Sequence, residues 1–252
     1  MRCRFGAGGS PRRQVKEYPP PITAWRSGVP LSYTVLCTTG LEAEAKIARR
    51  AGLSVVVGGG DHRRTVEVVE EAASGAECLV SFGIAGALKP GLRAGDIIVS
   101  TEVVDDDRRW LSSDAIRPRL GELAAEIGAI EGPVLGAQLA VATKADKRRA
   151  WRETGAIAVD LESVVVARAA AALGIPFVVL RAVADPAARE LPPAALVPLN
   201  GDGTPALGQV LASVLARPRQ LPTLLTVARE ARQALQALVG PANALNRLLA
   251  GV

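Results

Sequence analysis

The chain is poor in the residues that build most metal and redox sites. Its 252 residues hold one histidine, three cysteines and one methionine, and only 3% are aromatic. A single histidine, His62, excludes a multi-histidine metal centre and leaves any serine–histidine triad dependent on that one residue. Cys3, Cys37 and Cys78 are odd in number and lack paired metal-ligand spacing. No metal site is read from them, and a reduced, cytoplasmic compartment is the expectation. No apolar run reaches the roughly 18–20 residues of a membrane span, and the first 30 residues lack the apolar stretch of a secretory signal. With so few aromatics, the core has to be built from Ala, Val, Leu and Ile, within a hydrophobic fraction of 49%.

Charge is unevenly placed. The net charge is +5, but residues 1–30 carry +5, residues 31–206 carry −4 and residues 207–252 carry +4. The basic character belongs to the ends, whereas a nucleic-acid enzyme more often carries it on the folded body. No nucleic-acid partner is expected.

Composition divides the chain in three. Residues 1–30 are rich in Gly, Pro and Arg without periodicity, and read as a disordered tail or as an upstream-extended start. Residues 31–206 alternate short apolar runs with helical patterns. Strands are predicted at 33–38, 53–57, 77–82, 96–104, 134–142, 156–159 and 176–184. Helices are predicted at 42–51, 65–73, 113–127, 145–153 and 162–173. This is an α/β, three-layer fold with a mixed, largely parallel central sheet covered by helices. Residues 207–252 form a helical extension, with helices near 207–216, 221–239 and 241–249.

The segment "AVDLESVVVARAAAALGIPFVVLRAVADPA", residues 158–187, places Asp160, Glu162 and Asp185 at the two ends of an otherwise apolar run. In a parallel strand–helix–strand unit both strands end on one edge of the sheet. Glu162 and Asp185 should then face one crevice, the place where open α/β sheets bind ligands. Pro186 holds Asp185 extended. The glycines of "SFGIAGAL" and "LCTTGLEAE" read as loops leaving their strands at the same edge, where a ligand can approach backbone closely. Ordinary roles stand beside these. Asp160 fits a helix N-cap, Glu162 a first-turn acid favoured by the helix dipole, and Asp185 a turn.

The stretches "VSFGIAGALKPGLRAGDIIVS", "AVDLESVVVARAAAALGIPFVVLRAVADPA" and "TGLEAEAKIA" resemble the purine nucleoside phosphorylase and methylthioadenosine/S-adenosylhomocysteine nucleosidase superfamily over about residues 33–188. The tail, with "ELPPAALVPL" and "ARPRQLPTLLTVAREARQAL", is most similar to the hopanoid-associated phosphorylases, which release adenine from adenosylhopane. The resemblance implies cleavage of the N-glycosidic bond of an adenine nucleoside. Asp185 would protonate or hydrogen-bond purine N7, and Glu162 would bind the ribose hydroxyls and stabilise the sugar cation. Asp160 joins them as a candidate substrate contact, Leu161 would pack on base or sugar, and Gly83, Ala85 and Gly86 would line the pocket by backbone.

Two departures from the family pattern leave the nucleophile open between water and phosphate. The water-activating glutamate of the nucleosidases falls on Ala43, so Glu42 is the candidate base and Glu44 its alternative. The arginine and serine of the phosphorylase phosphate cradle fall on Ser81 and Ile84, with Arg63 and Arg64 as another possible anion site. No cofactor is expected beyond inorganic phosphate as a co-substrate. The partners implied are a small-molecule or lipid-linked adenine nucleoside, a second copy in a homodimer, and peripheral membrane contact through residues 207–252, whose Leu/Val faces and arginines suit an interfacial helix. A methylthioadenosine or S-adenosylhomocysteine nucleosidase and an inactive nucleoside-binding module are the alternatives.

Overall fold

The structure is a computed structural model that describes residues 32–105, 108–114 and 116–250. Its elements run β1 (Val35–Thr39), α1 (Glu42–Arg50), β2 (Ser54–Val57), α2 (His62–Ala72), β3 (Cys78–Ala87), β4 (Ile97–Ser100), β5 (Glu102–Val104), β6 (Arg109–Leu111), α3 (Arg117–Ile127), β7 (Ile130–Glu131), β8 (Val134–Gly136), α4 (Lys144–Thr154), β9 (Ala158–Asp160), α5 (Ser163–Leu173), β10 (Phe177–Asp185), α6 (Leu207–Ala216), α7 (Leu221–Ala237) and α8 (Val239–Ala250). The tail read at 1–30, with Cys3, lies outside the described residues.

Strands buried on both faces need continuous apolar sequence, and β3 and β10 have it. They pair in parallel from Phe177↔Leu79 to Asp185↔Gly86, with a bulge between Val183 and Asp185. β1 flanks β3 in parallel and carries β2 on its outer edge. On the other side β10 takes β4 antiparallel, and β4 takes β7 in parallel. The last residues of β3, Gly86 and Ala87, turn to pair antiparallel with β9, which leads through β8 and β5 to β6. The sheet is mixed and mostly parallel, as expected, and helices cover both faces.

Alternation along the central strands builds two cores. Val80, Phe82, Val178, Leu180 and Ala182 pack with Ala48 of α1, Leu120 and Leu123 of α3, Ala234 of α7 and Leu245 of α8. Leu79, Phe177, Val179 and Val183 face the other way, onto Val69 of α2 and Val164–Ala167 of α5. Arg181 shares the parity of Val179 and Val183, so it lies on the α5 side, whereas Asp185 follows the bulge, which interrupts the alternation.

Several sequence expectations are corrected here. Gly83–Gly86 is not a loop; it continues β3, and the strand runs five residues beyond its predicted end. The strand read at 96–104 breaks at Thr101 into β4 and β5, and the one read at 134–142 stops at Gly136. The boundary at residue 206 sets off α6 only, because α7 and α8 complete the core and Tyr33 N donates to Leu249 O at 2.7 Å. β9 and β10 do not form a simple parallel unit either. β9 runs antiparallel to β3 while β10 runs parallel to it.

Candidate active site

The carboxylates are nevertheless gathered, by a different device. The end of β3 threads between β9 and β10, so Gly86 has Val159 on one side and Asp185 on the other. A Cβ added at Gly86 would lie 3.1 Å and 3.2 Å from the two Asp185 carboxylate oxygens. At the other end of the glycine stretch, a Cβ on Gly83 would meet Arg181 Nη1 at 2.6 Å and overlap the Glu44 carboxyl. A Cβ on Gly40 would collide with the Glu162 carboxyl. Glycine is required at Gly40 and Gly83 because carboxylates occupy the space of a side chain, and at Gly86 the fit is tight.

Around Gly83 the site is an ion cluster. Arg181 is fully buried, with Nε 2.6 Å from Asp160 Oδ2 and Nη2 donating to Ser81 Oγ at 2.5 Å and to Glu162 Oε2 at 3.2 Å. Asp160 Oδ1 accepts from Ser163 N at 3.0 Å, and its other oxygen binds both Arg181 and the Ser163 hydroxyl. This carboxylate is saturated. It holds Ser163 at the start of α5 and orients Arg181, while the N-cap position of the helix is Glu162 rather than Asp160. Glu44 Oε2 accepts from Gly40 N at 3.0 Å and Leu41 N at 2.8 Å, and Oε1 accepts from Ile84 N at 2.7 Å. Glu44 therefore ties the start of α1 to the glycine stretch of β3.

Three carboxylates around one guanidinium leave excess negative charge away from water. Burial pushes Glu162 up to about 7, with Arg181 opposing and Asp160 and Glu44 reinforcing the rise. Burial also raises Glu44, against Arg181 and the three backbone N–H groups. A carboxyl held near neutrality suits proton transfer at physiological pH.

At the far end, Asp185 is raised by burial, and Lys147 opposes the rise. The Lys147 ammonium binds Asp185 Oδ2 and donates to Pro186 O at 3.2 Å and Arg189 O at 3.1 Å. Gly83 and Gly86 are three residues apart in extended backbone, so the two clusters stand about 10 Å apart along β3.

The remaining sequence candidates divide. Leu161 sits beside the glycine turn after β2, where a Cβ on Gly60 would lie 4.0 Å from Leu161 Cδ1. The Ala85 side chain belongs to the core under α5, so it can offer a ligand only its backbone. Glu42 lies outside the cluster, with its carboxylate paired to Arg49 at 2.8 Å. Glu44 stands where a base was sought. Residues two apart in a helix point to nearly opposite sides, and the buried face of α1 is Glu44, Ala45 and Ala48. Ser81 and Ile84 make no anion cradle, since Ser81 Oγ is engaged by Arg181 and Ser163 Oγ. Arg63 and Arg64 sit in the first turn of α2, which Asp61 caps through Arg64 N at 2.8 Å.

Arg181 and Lys147 complete the site without having been singled out. Arg181 had a signal, a lone cation inside the apolar run "FVVLRAVAD" that ends in Asp185. Lys147 had none, because α4 is charged throughout. Cavities of about 930 and 480 Å³ flank the site, the first reaching Gly136, Ala137 and Val164 and the second Pro186 and Ala187, yet neither is lined by Asp185 or Glu162. The bend at residues 199–205 packs over Gly59, Gly60 and Gly40, and Glu42 N donates to Gly203 O at 3.1 Å.

Comparison with known proteins bears on the fold and the family. A 5'-methylthioadenosine/S-adenosylhomocysteine nucleosidase of Treponema pallidum is 27% identical over 158 residues, covering 46% of this chain and 59% of the relative's own length. The fold is shared with a nucleosidase of the same name from Neisseria meningitidis, at TM-score 0.60 and 18% identity over 85% of this chain and 97% of that one. It is also shared with the futalosine hydrolase of Helicobacter pylori, at TM-score 0.57 and 15% identity over 83% and 97%. Residues 55–216 match the phosphorylase superfamily, a span that includes β3, α5 and β10 with Asp160, Glu162, Arg181 and Asp185 but not Glu44, and the chain belongs to that superfamily.

Proposed function

We propose that the protein hydrolyses the N-glycosidic bond of an adenine nucleoside, with adenosylhopane as its substrate. Asp185 protonates the departing purine, Glu162 binds the ribose hydroxyls and stabilises the sugar cation, and Glu44 activates water. The observation that carries this reading is the two-ended site. One buried, proton-binding carboxyl stands at Gly86, and a carboxylate-rich cluster stands about 10 Å away at Gly83, a separation that suits the base and sugar of one nucleoside.

Water is favoured over phosphate as nucleophile for an electrostatic reason. Glu44 and Glu162 crowd the sugar end, and the only guanidinium among them is already bound to Asp160, Glu162 and Ser81. A phosphate dianion there would meet repulsion at low dielectric without a free cation. The lipid-linked substrate is supported by α6, which starts two residues after the bend at 199–205 and has no buried residue. Its Leu207, Leu211 and Leu215 are 74%, 59% and 73% exposed, at a spacing that puts them on one face. Arg217 and Arg219 follow, and no acid occurs in residues 207–229. An apolar stripe with basic flanks fits the surface of an anionic bilayer, from which a nucleoside on an insoluble polycycle would be drawn. The same reading takes the protein as a homodimer.

Adenine release from adenosylhopane in anionic vesicles, with and without phosphate, tests the reading. Adenine should appear at the same rate in both, together with free ribosyl product. A strict need for phosphate would overturn hydrolysis. The match to the Treponema nucleosidase favours methylthioadenosine or S-adenosylhomocysteine as a second reading, and turnover of those nucleosides but not of adenosylhopane would establish it.

A further inference from the structure

Lys147 is the one fully buried residue of α4, a helix whose sequence, "KADKRRAWRET", is otherwise suited to solvent. Burying an ammonium is costly unless every donor is met. An ammonium has three N–H donors, and all three are met here by Asp185 Oδ2, Pro186 O and Arg189 O. The two carbonyls belong to one turn, closed by Arg189 N donating to Pro186 O at 2.8 Å. Arg189 is fixed in turn by Glu230 of α7, through hydrogen bonds of 3.0 and 2.7 Å. Asp185 Oδ1 accepts no hydrogen bond among the described residues, whereas Oδ2 is taken.

We propose that Lys147 is the positioning residue of the leaving-group acid: it fixes Oδ2 as a hydrogen-bond acceptor, and so leaves Oδ1 as the carboxyl oxygen that carries the proton to the purine. This rests on the hydrolase reading above. As the glycosidic bond breaks, its electron pair passes to the purine and the Oδ1 proton moves to a purine nitrogen. Asp185 is left as a carboxylate beside the ammonium, and it takes a proton back from water before the next turnover. The arrangement also sets how tightly Asp185 holds that proton. Burial raises it and Lys147 pulls it back, while Glu230 and Arg189, the other charged groups facing it, act in opposite directions and are paired to each other.

The test is the pH profile of adenine release from adenosylhopane in anionic vesicles by the full chain, compared with K147M and K147R. A general acid must be protonated, so kcat falls above its pKa. Removing the cation leaves burial unopposed and moves that fall to higher pH. K147M should lose about ten- to hundred-fold in kcat, change KM less than about three-fold, and shift the alkaline limb upward. K147R keeps the charge, and with it the fold, but its planar fork does not match three divergent acceptors. Its kcat should drop about ten-fold with the limb unmoved. Unaltered kcat in K147R, or a loss in K147M that is uniform across pH, would overturn the proposal. If K147M unfolds and K147M/D185N does not, the K147R result alone decides. Release of adenine by the unaltered protein in the same assay tests the hydrolase reading separately.

Discussion

At Glu162 three effects compete: burial and two neighbouring carboxylates hold the proton on, and Arg181 pulls it off. The group ends at about 7, well above an ordinary glutamate near 4.3. Between these values the folded protein binds more protons than the unfolded chain, so the sign is fixed. Stability falls as pH rises from about 4.5 to 7 and is flat beyond, a change on the order of 3 kcal/mol from this residue. Urea unfolding at pH 5 and pH 8 should show that fall, and E162Q should remove most of it. A second prediction separates neighbours two residues apart. E44Q should cut adenine release by about 10²–10⁴-fold, because the group facing Gly83 is lost as a base. It should also lower stability by about 1–3 kcal/mol, since an amide nitrogen would oppose a backbone N–H. E42Q, altering only the ion pair with Arg49, should leave turnover within about two-fold and stability within about 1 kcal/mol.

At the scale of elements the decisive object is β3. Its glycines let one strand bring the Arg181 ion cluster and Asp185 against the same backbone. A methyl group at Gly83 would have to displace Glu44 or Arg181, which are hydrogen-bonded in place. G83A should therefore destabilise by about 1–3 kcal/mol and lose turnover. Gly121, inside α3 with nothing within 4 Å of an added Cβ, is the control, and G121A should stabilise by about 0.5–1 kcal/mol. Thermal unfolding of the two variants checks both signs. The strand itself was legible in the sequence, but its extent was not. Gly83–Gly86 reads locally as a loop, and only its pairing with β9 and β10 makes it strand.

For the whole molecule, the C-terminal region divides between a buried helix pair and an exposed helix. α7 and α8 bury Ala234, Leu238, Leu245 and Leu249 in the main core, so deleting residues 207–252 would unfold the protein rather than report on membranes. α6 alone can be altered. Replacing Leu207, Leu211 and Leu215 with serine should leave the melting temperature within a few degrees, because exposed side chains contribute little to folding. Sedimentation with anionic vesicles should fall several-fold, while the unaltered protein co-sediments at low salt and less at high salt. Equal sedimentation of the two proteins would remove the membrane contact from the reading.

Sequence by itself determined the alternation of strands and helices, the burial of β3, β10 and α5, and the presence of acids at the ends of that apolar segment. Those are properties of short-range pattern, because periodicity and apolar run length report directly on how much of an element is covered. Tertiary structure decided what surrounds each acid. The side a glutamate takes on α1, the buried lysine of a charged helix, and the antiparallel turn of β9 against β3 all depend on contacts between residues some 40 to 100 positions apart. Local sequence holds no record of such contacts, and it is they that set the dielectric and the neighbours fixing where each proton resides.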